Sequence, residues 1–147
     1  MKIIKALFVQ SLILASVLAS VLVGLNIYAA DKSICNSGAD VVLYHDGSLK
    51  SCQLQDDYAA NNITCKNGGP VSFYSNGKLE SCQLKDNYAA NNITCKNGDS
   101  ISLYRNGKLA SCVLYAETTI AHSKCKADAL ISFYSDGKLK SCMKEGN

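Results

Sequence analysis

Residues 71–82, VSFYSNGKLESC, decide the fold of this protein, because they read as one β-hairpin. Residues 71–74 (VSFY) alternate apolar and polar side chains, which is typical of a half-buried strand. The pair Asn76-Gly77 follows, and an Asn-Gly pair between two β-favouring runs is a strong signal for a tight turn. The run KLESCQL over residues 78–84 then supplies the returning strand.

The pairing of the two strands depends on the length of the loop between them. A three-residue loop with glycine in the left-handed conformation pairs Phe73 with Leu79 and Val71 with Ser81, so that apolar side chains share one face. A two-residue loop would instead place Glu80 opposite Phe73. We therefore predict the three-residue loop with a glycine bulge.

The hairpin belongs to a repeat of 30 residues. The cysteines are separated by 17, 13, 17, 13, 17, 13 and 17 positions, and such a fixed period is the signature of a repeat architecture. The four units span residues 35–64, 65–94, 95–124 and 125–147. Each unit has the same two cysteines, tyrosine, glycine, leucine and serine. The recurring turn residues are Tyr44, Gly47, Tyr74, Gly77, Tyr104, Gly107, Tyr134 and Gly137.

The recurring residues are interpreted as structural. The turn glycine occupies a position that demands a positive φ, which side chains resist. We expect the tyrosine ring to cover the sheet at the turn while its hydroxyl reaches solvent. The serine directly before the second cysteine of each unit is expected to pack or to form hydrogen bonds.

These units predict an all-β fold. A unit of two or three short strands cannot bury its own apolar face, so neighbouring units must stack. We expect the four hairpin repeats to form an elongated antiparallel sheet, a β-solenoid or a barrel. A short third strand is expected at residues 92–95 (NITC), followed by another Asn-Gly turn.

Residues 1–30 differ from the rest of the chain. Lys2 and Lys5 precede an almost wholly apolar run over residues 6–25, and small residues follow. This order predicts an N-terminal signal helix, removed as a signal peptide. An uncleaved anchor is the alternative, since about 20 apolar residues can span a bilayer. Either way, residues 31–147 are expected to be secreted, periplasmic or at the cell envelope, with membrane contact only if the segment is not cleaved.

The eight cysteines of an exported chain predict disulfides. Pairing within units (35–52, 65–82, 95–112, 125–142) uses every cysteine. Pairing across units (52–65, 82–95, 112–125) leaves the first and last cysteines to close a barrel, and free thiols are the third possibility. A flat three-stranded unit would put the two cysteines of one unit too far apart for a bridge, unless the first lies in a loop. The candidates are Cys35, Cys52, Cys65, Cys82, Cys95, Cys112, Cys125 and Cys142.

The chain shows no pattern of residues typical of catalysis, so we predict that it is not an enzyme. His45 and His122 are the only histidines, and neither recurs in the other units. The cysteines lack the close pairs of structural zinc sites, and we expect neither metal nor cofactor. The net charge of +3 falls to +1 once the two lysines of residues 1–30 are removed, which does not favour nucleic-acid binding.

The core Y-x-[DN]-G-x-L resembles the MORN-repeat variants of bacterial proteins. It occurs at residues 44–49, 74–79, 104–109 and 134–139. The resemblance implies an antiparallel hairpin array that serves as an interaction or structural module. It covers only the hairpin core, since the period here is longer and the units carry paired cysteines.

Taken together, these features predict a non-enzymatic exported repeat protein that acts as a cell-envelope or secreted binding or structural module. Its expected partner is an unidentified protein or envelope component, because repeat arrays offer extended surfaces. The alternative is a small disulfide-stabilised secreted effector or inhibitor.

Overall fold

The computed structural model describes residues 30–144. The predicted signal helix therefore lies, apart from Ala30, outside the described residues. These contain fourteen strands and one short 3-10 helix (Lys32–Ile34). In chain order the strands are β1 (Val42–Leu43), β2 (Leu49–Gln53), β3 (Tyr58–Ala60), β4 (Ile63–Cys65), β5 (Pro70–Phe73), β6 (Leu79–Gln83), β7 (Tyr88–Ala90), β8 (Ile93–Cys95), β9 (Ser100–Leu103), β10 (Leu109–Val113), β11 (Thr118–Ile120), β12 (Ser123–Cys125), β13 (Leu130–Phe133) and β14 (Leu139–Cys142).

The main sheet is antiparallel and has eight strands in the order β1-β2-β5-β6-β9-β10-β13-β14. Each unit contributes one hairpin to it, which confirms the prediction of an all-β array of hairpins. The sheet is open, with β1 and β14 at its two edges, so the closed barrel that the sequence left possible is wrong. Seven strand spacings of about 4.8 Å make the sheet roughly 34 Å wide, about twice the length of its strands.

Each turn of the main sheet has the predicted three-residue loop. In the second unit, Gly77 N–H donates to the Tyr74 carbonyl and Tyr74 N–H donates to the Lys78 carbonyl, both at 2.8 Å. Gly77 has a φ of 78°, a conformation that costs glycine little and other residues more.

The predicted strand register is right at the turn and wrong beyond it. Phe73 lies opposite Leu79 as expected, but Val71 pairs with Cys82 and not with Ser81. Glu80 is the extra residue of a β-bulge, which shifts the alternation by one position. Because of the bulge, both Leu79 and Cys82 face the core and are about 2% exposed.

A second, smaller hairpin connects each unit to the next, and we call these the connector hairpins (β3–β4, β7–β8 and β11–β12). The predicted third strand is present as β8, but its partner β7 was not predicted. Asn91 and Asn92 join the two strands with φ values of 52° and 61°. Two consecutive positive φ angles are typical of the type I′ hairpin turn, which favours asparagine. The Asn-Asn pair was therefore the overlooked sequence signal.

The connector hairpins pack on one face of the main sheet and form the core with it. Tyr58 of the first connector contacts Phe73 edge to face, with ring centroids 5.7 Å apart. Ile63 and Phe73 are each 1% exposed, and no polar or charged side chain is buried among the described residues. Burial raises the pKa of Tyr58. Within residues 30–144, no helix is long and apolar enough to cross a membrane.

Candidate binding surface on the open sheet face

Four disulfides connect the main sheet to the layer above it, in which three of the bonded cysteines end connector hairpins and Cys35 follows the 3-10 helix. Each joins the two cysteines of one unit, with Cα atoms 5.6–5.8 Å apart. Cys65, for example, ends the connector strand β4 and bonds to Cys82 of β6. The geometric objection to this pairing does not apply, because the first cysteine lies above the main sheet and not two strands away within it. The bridges are Cys35–Cys52, Cys65–Cys82, Cys95–Cys112 and Cys125–Cys142.

The disulfides also indicate the compartment of the protein. Bridges persist in oxidising surroundings, outside the cell or in the periplasm, and are rare in the cytosol. The described residues contain no free cysteine. The protein is thus a small disulfide-stabilised protein of an oxidising compartment.

The other face of the main sheet has no connector hairpin packed on it, and a row of serines crosses it. Facing serines of one hairpin share a hydrogen bond, as between the Oγ atoms of Ser102 and Ser111 at 2.7 Å. Serines of adjacent units also lie opposite each other, as Ser81 and Ser102 do. We call this row the serine ladder, and its members are Ser51, Ser72, Ser81, Ser102, Ser111, Ser132 and Ser141.

The sequence indicated four of the seven members of the serine ladder. The serine before the second cysteine recurs in all four units, and it does form hydrogen bonds in three hairpins. The serines of the first strands were missed because Val42 takes their place in the first unit. A search for residues shared by three of the four copies would have found them.

A row of tyrosines runs beside the serine ladder, and the tyrosine hydroxyls connect neighbouring units. Tyr74 Oη donates to the Leu103 carbonyl of the next unit at 2.8 Å. Tyr44 and Tyr104 make the same bond to the units that follow them. The expectation that these hydroxyls reach solvent is therefore wrong for three of the four units. The tyrosine row comprises Tyr44, Tyr74, Tyr104 and Tyr134.

Cationic side chains cover several of these rings. The Arg105 guanidinium lies 5.0 Å from the centre of the Tyr74 ring, and Lys50 and Lys140 lie over Tyr44 and Tyr134. Such contacts stabilise by about 0.5–1 kcal/mol at exposed sites. Desolvation, assisted by the charge of Glu80, raises the pKa of Tyr74. The row therefore presents neutral aromatic rings and positive charges to solvent.

The third row of the open face changes character along the array. At the first units it contains the polar Gln53 and Gln83. At the last units it contains Val113 opposite Leu130, and Leu130 and Met143 are 61% and 62% exposed. A shallow cleft lies at the polar end and is lined by Val42, Ser51, Gln53, Pro70, Ser72 and Ser81, among others.

The two histidines lie in different parts of the fold. His45 lies at the turn tip of the first hairpin and His122 in the turn of the third connector, and both are exposed. Among residues 30–144, no group of three or more His, Cys, Asp or Glu side chains is placed to hold a metal ion. The residues that the structure does assemble are the hydroxyl and aromatic rows of the open face.

An ion pair joins the segments that lead into consecutive connector hairpins. Lys85 Nζ, before β7, lies 2.5 Å from Asp57 Oδ2, before β3. Asp57 Oδ1 also accepts a 2.9 Å bond from Asn67 N–H. The bonds from Lys85 and Asn67 lower the pKa of the Asp57 carboxyl. Asp57 therefore helps to hold the first and second units at a fixed spacing.

The chain matches no protein-family model, no curated protein sequence and no solved structure. The resemblance to MORN-repeat variants accordingly stays a prediction. Functional inference depends on the geometry of the open face.

Proposed function

We propose that this protein is an exported, non-enzymatic repeat module that binds a protein or polymer of the cell envelope or the extracellular space through the open face of its main sheet. The observation that supports the proposal is the serine ladder, which repeats on seven adjacent strands at a face that no connector covers. The serines of the ladder are not needed to bury the core, because they lie on the opposite face of the sheet.

The open face suits a partner that is itself extended and polar. Adjacent strands present hydroxyl groups about 4.8 Å apart, each able to donate and accept hydrogen bonds. The neighbouring tyrosine row adds aromatic area, and Lys50, Arg105 and Lys140 add positive charge. Such a surface recognises hydroxyl-rich or anionic groups arranged along a line.

The disulfides prepare this surface for binding. They tie each main-sheet hairpin to the layer packed on its covered face, so the open face is rigid before a partner arrives. A preorganised surface loses less conformational entropy on binding and therefore binds more tightly.

Site-specific photo-crosslinking in the native cell tests the proposal. A photoreactive residue at Ser111, on the open face, is expected to give adducts of higher mass. The same residue at Ala89, exposed on the outer side of a connector, is the matched control and should give none. Equal adducts at both positions, or none at Ser111, would overturn the proposal.

A secreted effector or inhibitor is the second candidate, and the disulfide-stabilised small fold favours it. Such a protein acts on its target without an envelope partner. Growth inhibition or enzyme inhibition by the purified oxidised chain, together with no adduct from Ser111, would select this candidate over the first.

A further inference from the structure

The exposed large apolar side chains are concentrated at the two ends of the array. Among residues 30–144 they are confined to the first strand with its preceding residue and to the chain from Tyr115 onward. They are Val41 (39% exposed), Val42 (45%), Leu43 (44%), Tyr115 (54%), Leu130 (61%), Tyr134 (52%) and Met143 (62%).

At the first edge, the exposed residues occupy core positions of the repeat. Val41 and Leu43 correspond to Val71 and Phe73 of the second unit, which are 2% and 1% exposed. Phe73 is covered by Tyr58 of the connector hairpin β3–β4, which comes before β5 in the chain. Among the described residues no connector hairpin comes before β1, so the equivalent positions of the first unit face solvent.

The other edge of the sheet, formed by β14, also lacks contacts that the internal units make. Tyr134 corresponds to Tyr74, whose hydroxyl donates to Leu103 of the next unit. Among the described residues, β14 is the edge strand of the sheet and the Tyr134 hydroxyl makes no hydrogen bond. Cys142 is half-buried, whereas Cys82 is 2% exposed.

We propose that β14 of one copy pairs with β1 of a second copy and that the protein thereby forms head-to-tail chains. The junction repeats the strand pairing that joins the units within one chain, in which Ser81 lies opposite Ser102 and Cys82 opposite Ile101. The equivalent pairs place Ser141 opposite Val42 of the second copy and Cys142 opposite its Val41. The Tyr134 hydroxyl then donates to the Leu43 carbonyl of the second copy.

The backbone groups at the edge are directed to make this junction. Leu54 N–H donates to the Gly69 carbonyl between β2 and β5, and hydrogen-bonded pairs alternate along antiparallel strands. Cys52 and Val71 are therefore the next hydrogen-bonded pair. By the same alternation, the N–H and C=O of Val41 point away from β2 and toward the free edge.

Charges at the turn tips also match across the junction. Within the chain, Lys108 Nζ donates to the Asp136 carbonyl of the next unit at 3.3 Å. The corresponding pair at the junction is Lys138 with Asp46 of the second copy. Each end unit also carries its own disulfide, Cys35–Cys52 or Cys125–Cys142.

The two edges differ, so the interface between copies is heterologous. A dimer formed through β14 and β1 still has one free edge of each kind and can add further copies head to tail. The proposal concerns the sheet edges and does not depend on the binding role of the open face.

Sedimentation velocity of the oxidised protein, purified as the cell exports it, tests the proposal. Between about 10 µM and about 1 mM, a range suited to weak association, we expect dimers, trimers and longer species in increasing proportion. A monomer throughout, or a dimer that grows no further, would overturn it.

Two edge variants and one control variant test whether association takes place through the edge of β1. Val41→Pro removes the outward N–H of β1, and Leu43→Lys places a charge on the same edge. Each should reduce the weight fraction of oligomers at least tenfold. Ala89→Lys adds the same charge on a connector hairpin and should leave association unchanged. Unaltered association in both edge variants would contradict the proposal.

Crosslinking gives a result that holds even if an edge variant fails to fold. A photoreactive residue at position 42 of the otherwise native chain should crosslink to residues 139–143 of another copy. Crosslinks from position 42 to position 42 would show symmetric pairing of β1 with β1 and would overturn the head-to-tail arrangement.

Discussion

The two faces of the main sheet are built from alternate residues of the same strands, yet they differ in what they contribute. On the covered face, Phe73 and Cys82 are buried under the connector hairpins, where they supply apolar contacts and a disulfide. On the open face, Ser72 and Ser81 share a hydrogen bond in partial contact with solvent. The covered face therefore supplies the buried contacts, and the open face is the one that we propose binds a partner.

The largest effect should follow from truncating a side chain on the covered face. Phe73→Ala removes a ring that is 1% exposed and should lower the free energy of unfolding by about 3–5 kcal/mol. Ser72→Ala changes the adjacent residue on the open face and should cost less than about 1 kcal/mol. Urea unfolding of both variants measures the contrast, and similar losses would refute this division of roles.

Removing an internal disulfide should have the next largest effect. The double variant Cys65→Ala and Cys82→Ala opens a loop with a sequence separation of 17, and we expect a loss of about 3 kcal/mol. Reducing agent should destabilise the parent protein and should lower the unfolding midpoint of the variant by less. A variant as stable as the parent would show that the connector stays packed on the sheet without its bridge.

A smaller effect should distinguish an internal tyrosine from the last one. Tyr74→Phe removes the hydroxyl that donates to Leu103 and should cost about 1 kcal/mol. Tyr134→Phe should leave the stability of the monomer unchanged, because the Tyr134 hydroxyl makes no hydrogen bond among the described residues. Thermal unfolding at low protein concentration checks this pair, and equal losses would mean that the hydroxyl contributes through something other than the bond between units.

The smallest effect concerns the ion pair between Lys85 and Asp57. The pKa of Asp57 is lowered first by the bond from Lys85 and then by that from Asn67 N–H. The ionised form is thus favoured in the fold, so its contribution is present above the ordinary aspartate pKa and disappears as pH falls through the lowered value. In Lys85→Met, an NMR titration should show the Asp57 pKa rising toward its ordinary value. The pKa of Asp136, lowered locally by its bonds with Lys138, should not change in this variant.

Much of the main sheet could be predicted from the sequence because its signals are local. The alternation of residues 71–74 and the glycine at position 77 define a strand and a turn within a few residues. The predicted strand register is wrong beyond Glu80, because the β-bulge at this residue allows Leu79 and Cys82 to be buried together. The connector hairpins were missed in part because their strands are only three residues long.

The candidate site was less predictable. The recurring serines were visible, but nothing in the order of residues shows that serines of adjacent units, such as Ser81 and Ser102, lie opposite each other. The role of Tyr74 was likewise hidden, because its hydroxyl bonds to a carbonyl 29 residues away in the sequence. Both features depend on how one unit is placed against the next.

The amino-acid sequence alone is enough to predict the period of 30 residues, the four hairpin turns and the even number of cysteines, since these follow from local backbone preferences and from covalent chemistry. Tertiary packing sets which cysteines are bonded, which face is covered and which strands lie at the sheet edges. These outcomes depend on packing the connector hairpins over one face, and that packing brings Cys65 within 5.7 Å of Cys82. It buries Phe73 and leaves Leu43, the equivalent residue of the first unit, exposed at an open edge.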